Sequence, residues 1–246
     1  MADGRSKDGW RETDSETVID WGQYSVPHRA RQIQIIRDMT PAAVPGDGYV
    51  ELWCGEDRLS AALLAAQPDA RMLAFDGSET MRAATVARLA PFGGRAEVAA
   101  FDLLSTDWRQ LPFAPLAIVS SLAIHHLDGP QKQTLFADLY RSLKPGERLI
   151  IADLVEIQSR AANGIAAWCW DEATKEASPG HDGPDDPYAI FVAENWNNYS
   201  DPEPDPIDKP SPLLAQLQWL LGAGFVEVDV HWLLAGHAIF SGRKEA

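Results

Sequence analysis

Apolar residues gather in short blocks along this chain, and between the blocks they recur every three or four positions. Tyr49–Trp53, Met72–Phe75, Ala96–Phe101, Leu116–Ser120 and Arg148–Ala152 are apolar runs of strand length. Helical patterns follow three of them: Leu59, Leu63 and Leu64 after the first, Met81, Val86 and Leu89 after the second, Leu135, Leu139 and Leu143 after the fourth. Short strands alternating with amphipathic helices imply right-handed crossovers and a parallel sheet. Upstream, a helix is predicted over about Val26–Met39, with Ile33, Ile35 and Ile36 on its apolar side. Thr40-Pro41 and Pro45-Gly46-Asp47-Gly48 end it. Residues 1–25 read as a loose polar segment.

After Asp153 the rhythm breaks. A helix is predicted over about Gln158–Glu176, then Pro- and Asp-rich sequence runs to Pro210. Ser211-Pro212 restarts a helix, Ser as N-cap and Pro at the first helical position, and Gly222 and Gly224 close it. Phe225–Val230 and Leu233–Ser241 read as an antiparallel hairpin at the sheet edge. The expected fold is therefore α/β: a Rossmann-like, seven-stranded, mostly parallel sheet with helices on both faces. One domain spans 1–246. Its parts are a polar segment (1–25), a covering helix (26–40), a core (48–153), an insertion after the fifth strand (158–210), and a last helix with hairpin (211–243).

Charge sharpens this division. The 246 residues carry 21 Lys+Arg against 36 Asp+Glu, a net −15. A chain without basic excess is poorly suited to phosphate backbones or anionic membranes, so neither nucleic acid nor membrane is an expected partner. The acidity is local: residues 171–208 hold eleven acids, six prolines and one lysine. The aromatics Tyr188, Phe191, Trp196 and Tyr199 lie in the same segment. Two cysteines, Cys54 and Cys169, make no disulfide framework, and a reducing, cytoplasmic setting is expected. No apolar leader or membrane-length run is visible.

Three acids close successive strands. Glu51 lies in YVELWCGEDRL, a strand, tight turn and helix start whose backbone N–H groups suit a ligand. Asp76, in AFDGS, offers two oxygens to a ribose diol, or caps the helix that follows. Asp102, in AFDLL, ends the third strand. Further on come SSLAIHHL, a helix and LKPGERLIIADL, and the tail LLGAGFVEVDVHWLLAGHAIFSGRK.

From Val26 to the end these motifs resemble class I S-adenosylmethionine-dependent methyltransferases of the small-molecule type. The first loop departs from that family's acid followed by Gly-x-Gly-x-Gly. Only Gly55 remains of the three glycines, and Trp53 and Asp57 stand where small residues are expected. The resemblance implies that S-adenosylmethionine gives a methyl group to an oxygen, nitrogen or carbon of a small-molecule acceptor and leaves as S-adenosylhomocysteine. It places cofactor contacts at Glu51, Trp53, Gly55, Asp57, Asp76, Gly77, Asp102, Leu103 and Ser120. Arg29 or Arg31, on the covering helix, is expected to pair with the methionine carboxylate, because a guanidinium fork matches a carboxylate.

His125 is the candidate general base, with a structural histidine as the alternative. His126, Trp168, Trp196 and Tyr199 are candidate substrate contacts, the aromatics forming a lid over a hydrophobic or cationic acceptor. The six histidines and two cysteines show no ligand spacing, so no metal is expected. A homodimer is the expected assembly. Two other readings stay open: a methyltransferase fold serving as a ligand-binding or interaction module, which the loop substitutions motivate, and an enzyme using S-adenosylmethionine for other chemistry.

Overall fold

The innermost strands of the central sheet are buried on both faces, which is why they read as continuous apolar runs. All residues of β1 (Gly48–Leu52) and β4 (Ala117–Ser121) are buried. In this computed structural model the described residues are 12–55, 58–102, 105–180, 186–200 and 206–246. β1 pairs in parallel with β4 and with β2 (Arg71–Asp76). β2 pairs in parallel with β3 (Ala96–Ala100), and β4 with β5 (Arg148–Glu156). β8 (His237–Arg243) lies antiparallel on β5, and β7 (Val226–Leu234) antiparallel on β8. The order is β3-β2-β1-β4-β5-β8-β7, the expected seven strands. A two-residue strand, β6 (Ser211–Pro212), pairs with the end of β5 outside that path.

Alternation along the strands divides the core. Val50 and Leu52 pack with Leu135, Phe136 and Leu139 of α5 (Gly129–Ser142) and Leu220 of α8 (Leu213–Ala223). Tyr49 packs on the opposite face with Ile36 of α2 (Arg29–Met39) and with Leu59, Leu63 and Leu64 of α3 (Arg58–Ala66). Leu89 of α4 (Glu79–Leu89) joins this second cluster. The insertion has an apolar centre of its own. Trp170 of α6 (Arg160–Ala177) and Phe191 of α7 (Pro187–Ala193) pack with Leu154 and Tyr199. Among the described residues no helix is long and apolar enough to cross a membrane.

Four local expectations are corrected. Residues 12–25, expected to be loose, form a helix, α1 (Glu12–Ser25). It buries only Ser15, so no apolar stripe announces it; tertiary contacts hold it instead. The Glu12 carboxylate accepts the N–H groups of Glu79 (3.2 Å) and Thr80 (3.0 Å) at the start of α4, where an anion is favoured. The Ser15 and Ser78 hydroxyls bond at 2.9 Å, and Trp170 Nε1–H donates to Ser25 O at 2.5 Å. The helix expected from Val26 begins at Arg29. Ser211 does not cap a helix: it belongs to β6, its Oγ accepts from Lys132 Nζ at 2.8 Å, and α8 starts without a side-chain cap. The first hairpin strand runs on to Leu234, the second begins at His237 rather than Leu233, and the turn falls at Ala235-Gly236. Gly236 has φ +75°, and a Cβ there would run into the Tyr199 ring.

Candidate active site

The sheet order reverses between β1 and β4, so the chains leaving their carboxyl ends diverge and open a crevice. A cavity of about 340 Å³ occupies it, in the size range of ligand sites. Its walls come from the residues after β1, β2 and β4, from α1 and α2, and from the insertion.

The turn out of β1 and the turn out of β4 each pass through a left-handed residue with a bulky side chain, Trp53 (φ 61°) and Leu122 (φ 55°). Such backbone costs roughly 1–2 kcal/mol per residue and gathers at functional sites. Trp53 thus adopts the backbone a glycine would favour. Its ring lies 4.9 Å from His126 and 6.2 Å from Phe101. Trp53 and His126 line both the main cavity and a neighbouring one of about 420 Å³, where Gly77, Phe101 and Asp102 lie.

Charged groups of both signs face the main cavity. Glu51 is buried on β1, and its Oε2 accepts the Ser60 hydroxyl at 2.5 Å. Asp76 ends β2, and its two oxygens accept Gly55 N–H and Ser78 N–H, each at 2.9 Å. The cap of α4 is Ser78, whose Oγ accepts Met81 N–H at 3.1 Å, and each Asp76 oxygen keeps a further lone pair. Burial pushes the Asp76 carboxyl up, against the pull of those two N–H groups. Arg29, the first residue of α2, lines the cavity and donates through Nη1 to Ser121 Oγ at 2.6 Å.

Glu51, Trp53, Gly55, Asp76 and Arg29 are therefore brought together on the cavity, while Gly77 and Asp102 belong to the second one. Asp57 and Leu103 lie outside the described residues. Two expected contacts fail. Ser120 points into the sheet and donates to Leu52 O at 3.3 Å; its neighbour Ser121 faces the cavity instead. Arg31 is exposed and bonds Gln34 Oε1 at 2.9 Å. Carboxylates at Glu51 and Asp76 with a guanidinium at Arg29 suit a ligand that carries hydroxyl, ammonium and carboxylate groups together.

The opposite wall is built on two histidines. His125 is buried, its Nδ1–H donates to Asp153 Oδ1 at 2.5 Å, and its backbone N–H donates to Asp153 Oδ2 at 2.9 Å. Its Nε2 lies 3.4 Å from Asp208 Oδ1, and His126 Nδ1 lies 3.1 Å from the same oxygen. Burial lowers the His125 pKa, but the charge and hydrogen bond of Asp153, with Asp208 behind, hold it up at about 10. Burial and the cationic His125 push His126 below its ordinary value. Burial raises the Asp208 carboxyl, but the two imidazoles hold it well below the usual range. As held here His125 is a proton donor, and the neutral imidazole is His126.

Asp208 is pinned in turn. Asn198 Nδ2 donates to its Oδ2 at 2.7 Å, and Lys209 N–H donates to His125 O at 2.7 Å. Trp196 lines the cavity as expected. Trp168 does not; it is 64% exposed on α6. Tyr199 is a core residue whose hydroxyl lies 2.8 Å from both Val155 O and Gly236 O. His125, His126 and Asp208 place one donor atom each within 4.8 Å of one another, a ligand-spaced cluster that the sequence was not expected to hold.

Sequence reasoning missed Asp153, Asp208 and the whole α1 wall. Asp153 did leave a signal, an acid between apolar residues in the middle of a buried strand. Asp208 left none among eleven acids.

Residues 50–146 match the family described as a methyltransferase domain. No curated protein matches the chain in sequence. Solved structures match it in shape. An O-methyltransferase family protein from Burkholderia thailandensis gives a TM-score of 0.65 at 14% identity, covering 96% of this chain and 59% of that one. An O-methyltransferase family 2 protein from Planctomyces limnophilus, in complex with apigenin, gives 0.60 at 20% identity, with 97% and 63% covered. PigF with SAH gives 0.59 at 17% identity, with 98% and 63% covered. This chain thus spans about three-fifths of the length of these neighbours. At such identities the likeness is one of fold.

Proposed function

We propose that the protein, whose residues 50–146 match a methyltransferase-domain family and whose fold is similar to that of solved O-methyltransferases, is an S-adenosylmethionine-dependent methyltransferase acting on the oxygen of a small-molecule acceptor. The observation that carries this reading is the opposition of charges in one cavity, Glu51 and Asp76 against Arg29. S-adenosylmethionine carries the groups that set suits. Asp76 is assigned to the ribose hydroxyls, Arg29 to the methionine carboxylate and Glu51 to the ammonium end. When bound, the cofactor supplies a methyl group already activated on a sulfonium.

The chain's own work is then positioning and exclusion of water. α1 and the insertion wall the cavity off. Trp196 offers an aromatic surface to the acceptor. His125, His126 and Asp208 face the same space, and the neutral imidazole of His126 can take up the proton that an acceptor hydroxyl gives up. The solved neighbours described as O-methyltransferases favour oxygen over nitrogen or carbon as the acceptor atom.

The test is transfer of labelled methyl from S-adenosylmethionine to a panel of phenols, amines and activated carbon acids, with the labelled product identified by mass spectrometry. Label on a phenolic oxygen is expected. Label found only on nitrogen or carbon contradicts the oxygen assignment.

A further inference from the structure

The turn after β4 and the end of the insertion bring three donor atoms to one spot. His125 and His126 come from the turn, Asp208 from the insertion, and all three line the cavity. The separations to Asp208 Oδ1 are 3.4 Å from His125 Nε2 and 3.1 Å from His126 Nδ1. Imidazole nitrogen and carboxylate oxygen each sit about 2.0–2.2 Å from an ion such as Zn²⁺. Two such ligands at a tetrahedral angle stand roughly 3.3–3.5 Å apart, given those bond lengths. A hydrogen bond would prefer about 2.7–3.2 Å, so the His125–Asp208 distance is long for a bond and right for co-ligands, while His126–Asp208, at 3.1 Å, is a hydrogen-bond distance that opens by a few tenths of an ångström around an ion.

The groups behind these atoms are also those of a metal site. A ligating histidine generally donates its other ring N–H to a carboxylate or carbonyl, which fixes the ring and its tautomer. Asp153 does this for His125, whose Nδ1–H it accepts at 2.5 Å while Nε2 faces Asp208. Asn198 holds the second oxygen of Asp208 at 2.7 Å, and the Trp53 ring packs on His126. Each side chain is held before any ion arrives, and as an ion binds, His125 gives up its Nε2 proton to solvent. Two imidazoles and one carboxylate suit Zn²⁺, Fe²⁺ or Co²⁺; Mg²⁺ and Ca²⁺ prefer oxygen ligands throughout. Three protein ligands leave a position open, and here it faces the cavity.

We propose that His125, His126 and Asp208 form a binding site for a divalent transition-metal ion, whose open position takes an oxygen of the methyl acceptor. The binding of the ion stands by itself; its role toward the acceptor rests on the methyltransferase reading. A metal-bound hydroxyl loses its proton more readily and is fixed in direction, which is what an oxygen nucleophile needs.

The experiment is calorimetric titration of the chelator-stripped full chain with Zn²⁺, with Mg²⁺ as counter-probe and S-adenosylhomocysteine titrated in parallel. About one Zn²⁺ per chain is expected, with no comparable heat from Mg²⁺. His126→Ala and Asp208→Ala are expected to weaken Zn²⁺ by at least about tenfold, and Asp153→Asn by about 10–100-fold as a partner of a ligand. His231→Ala, on β7 and bonded to Ser241, is expected to leave Zn²⁺ binding unchanged. Circular dichroism checks that each variant is folded. Absence of Zn²⁺ binding in the folded chain, equal binding of Mg²⁺, or unchanged Zn²⁺ affinity in both ligand variants overturns the proposal. A chain that binds S-adenosylhomocysteine but fails to bind Zn²⁺ sinks the metal site and leaves the methyltransferase reading standing.

Discussion

Trp53 is the residue where local cost and site architecture meet. It occupies a left-handed backbone position, and its ring stands on the wall shared by the two cavities. A ligand that spans both must move that ring or pass around it. Trp53→Gly removes the ring and the backbone strain together. It is expected to tighten S-adenosylhomocysteine binding roughly tenfold, about 1.4 kcal/mol, measured by calorimetry. Weaker binding would show that the ring is a ligand contact.

His237 gives a pH signature. Burial holds its pKa down at about 4, against the hydrogen bond to Ala235 O and the charge of Asp153, with His125 and Arg29 adding to the depression. Its folded pKa lies below the unfolded value near 6.5. The unfolded chain therefore takes up the proton first, and stability present above pH 6.5 is lost as pH falls toward 4. Between pH 7 and 5 this amounts to about 2 kcal/mol, from the shift and 1.36 kcal/mol per pKa unit. Thermal melts should show a steeper loss over that range in wild type than in His237→Asn. Parallel curves would remove His237 as the cause.

Residue geometry also explains what the sequence hid. Ser120 and Ser121 are adjacent in a strand, so they face opposite sides, and one position decides which meets the cavity. Arg29 and Arg31 are two positions apart on a helix, about 200° around its axis, so one lines the cavity while the other meets solvent. The acids at strand ends were legible because the parallel-sheet rhythm fixes where each strand stops. Tyr199 was not, because its two carbonyl partners come from β5 and the hairpin turn, both distant in sequence.

At the scale of elements, α1 decides whether the cavity is walled. The strands and the helices of the core were legible from periodicity; α1 was not, because its fixing points are polar and long-range. Glu12 is the anchor. Hydrogen bonds from Thr80 and Ser78, then from Glu79, hold its carboxyl down at about 2. Glu12→Gln keeps the size and removes the charge that answers the start of α4. Amide exchange across residues 12–25 is expected to quicken several-fold, without comparable change in β1 or β4. Unchanged exchange in α1 would mean that Ser15 and Trp170 suffice to hold it. The last turn of the insertion is held more firmly: Lys132 Nζ donates to Lys209 O at 2.5 Å, and Lys209 N–H to His125 O.

For the whole molecule, the net charge of −15 acquires a location and a use. Several acids of the insertion do structural work among the described residues. Asp171 pairs with Lys175 at 2.6 Å, Asp186 accepts Tyr188 N–H at the start of α7, and Asp208 meets the histidine pair. One of these acids, Asp208, lines the cavity beside His125 and His126.

The central claim is that the crevice between β1 and β4 holds the adenosyl cofactor. Calorimetric titration of the folded chain with S-adenosylmethionine and S-adenosylhomocysteine tests it most directly. Saturable binding of both is expected, weakened about 10–100-fold in Arg29→Ala as a charge-assisted contact of about 1.5–3 kcal/mol is lost. No heat from either ligand at millimolar concentration, in a chain that circular dichroism shows to be folded, would contradict it.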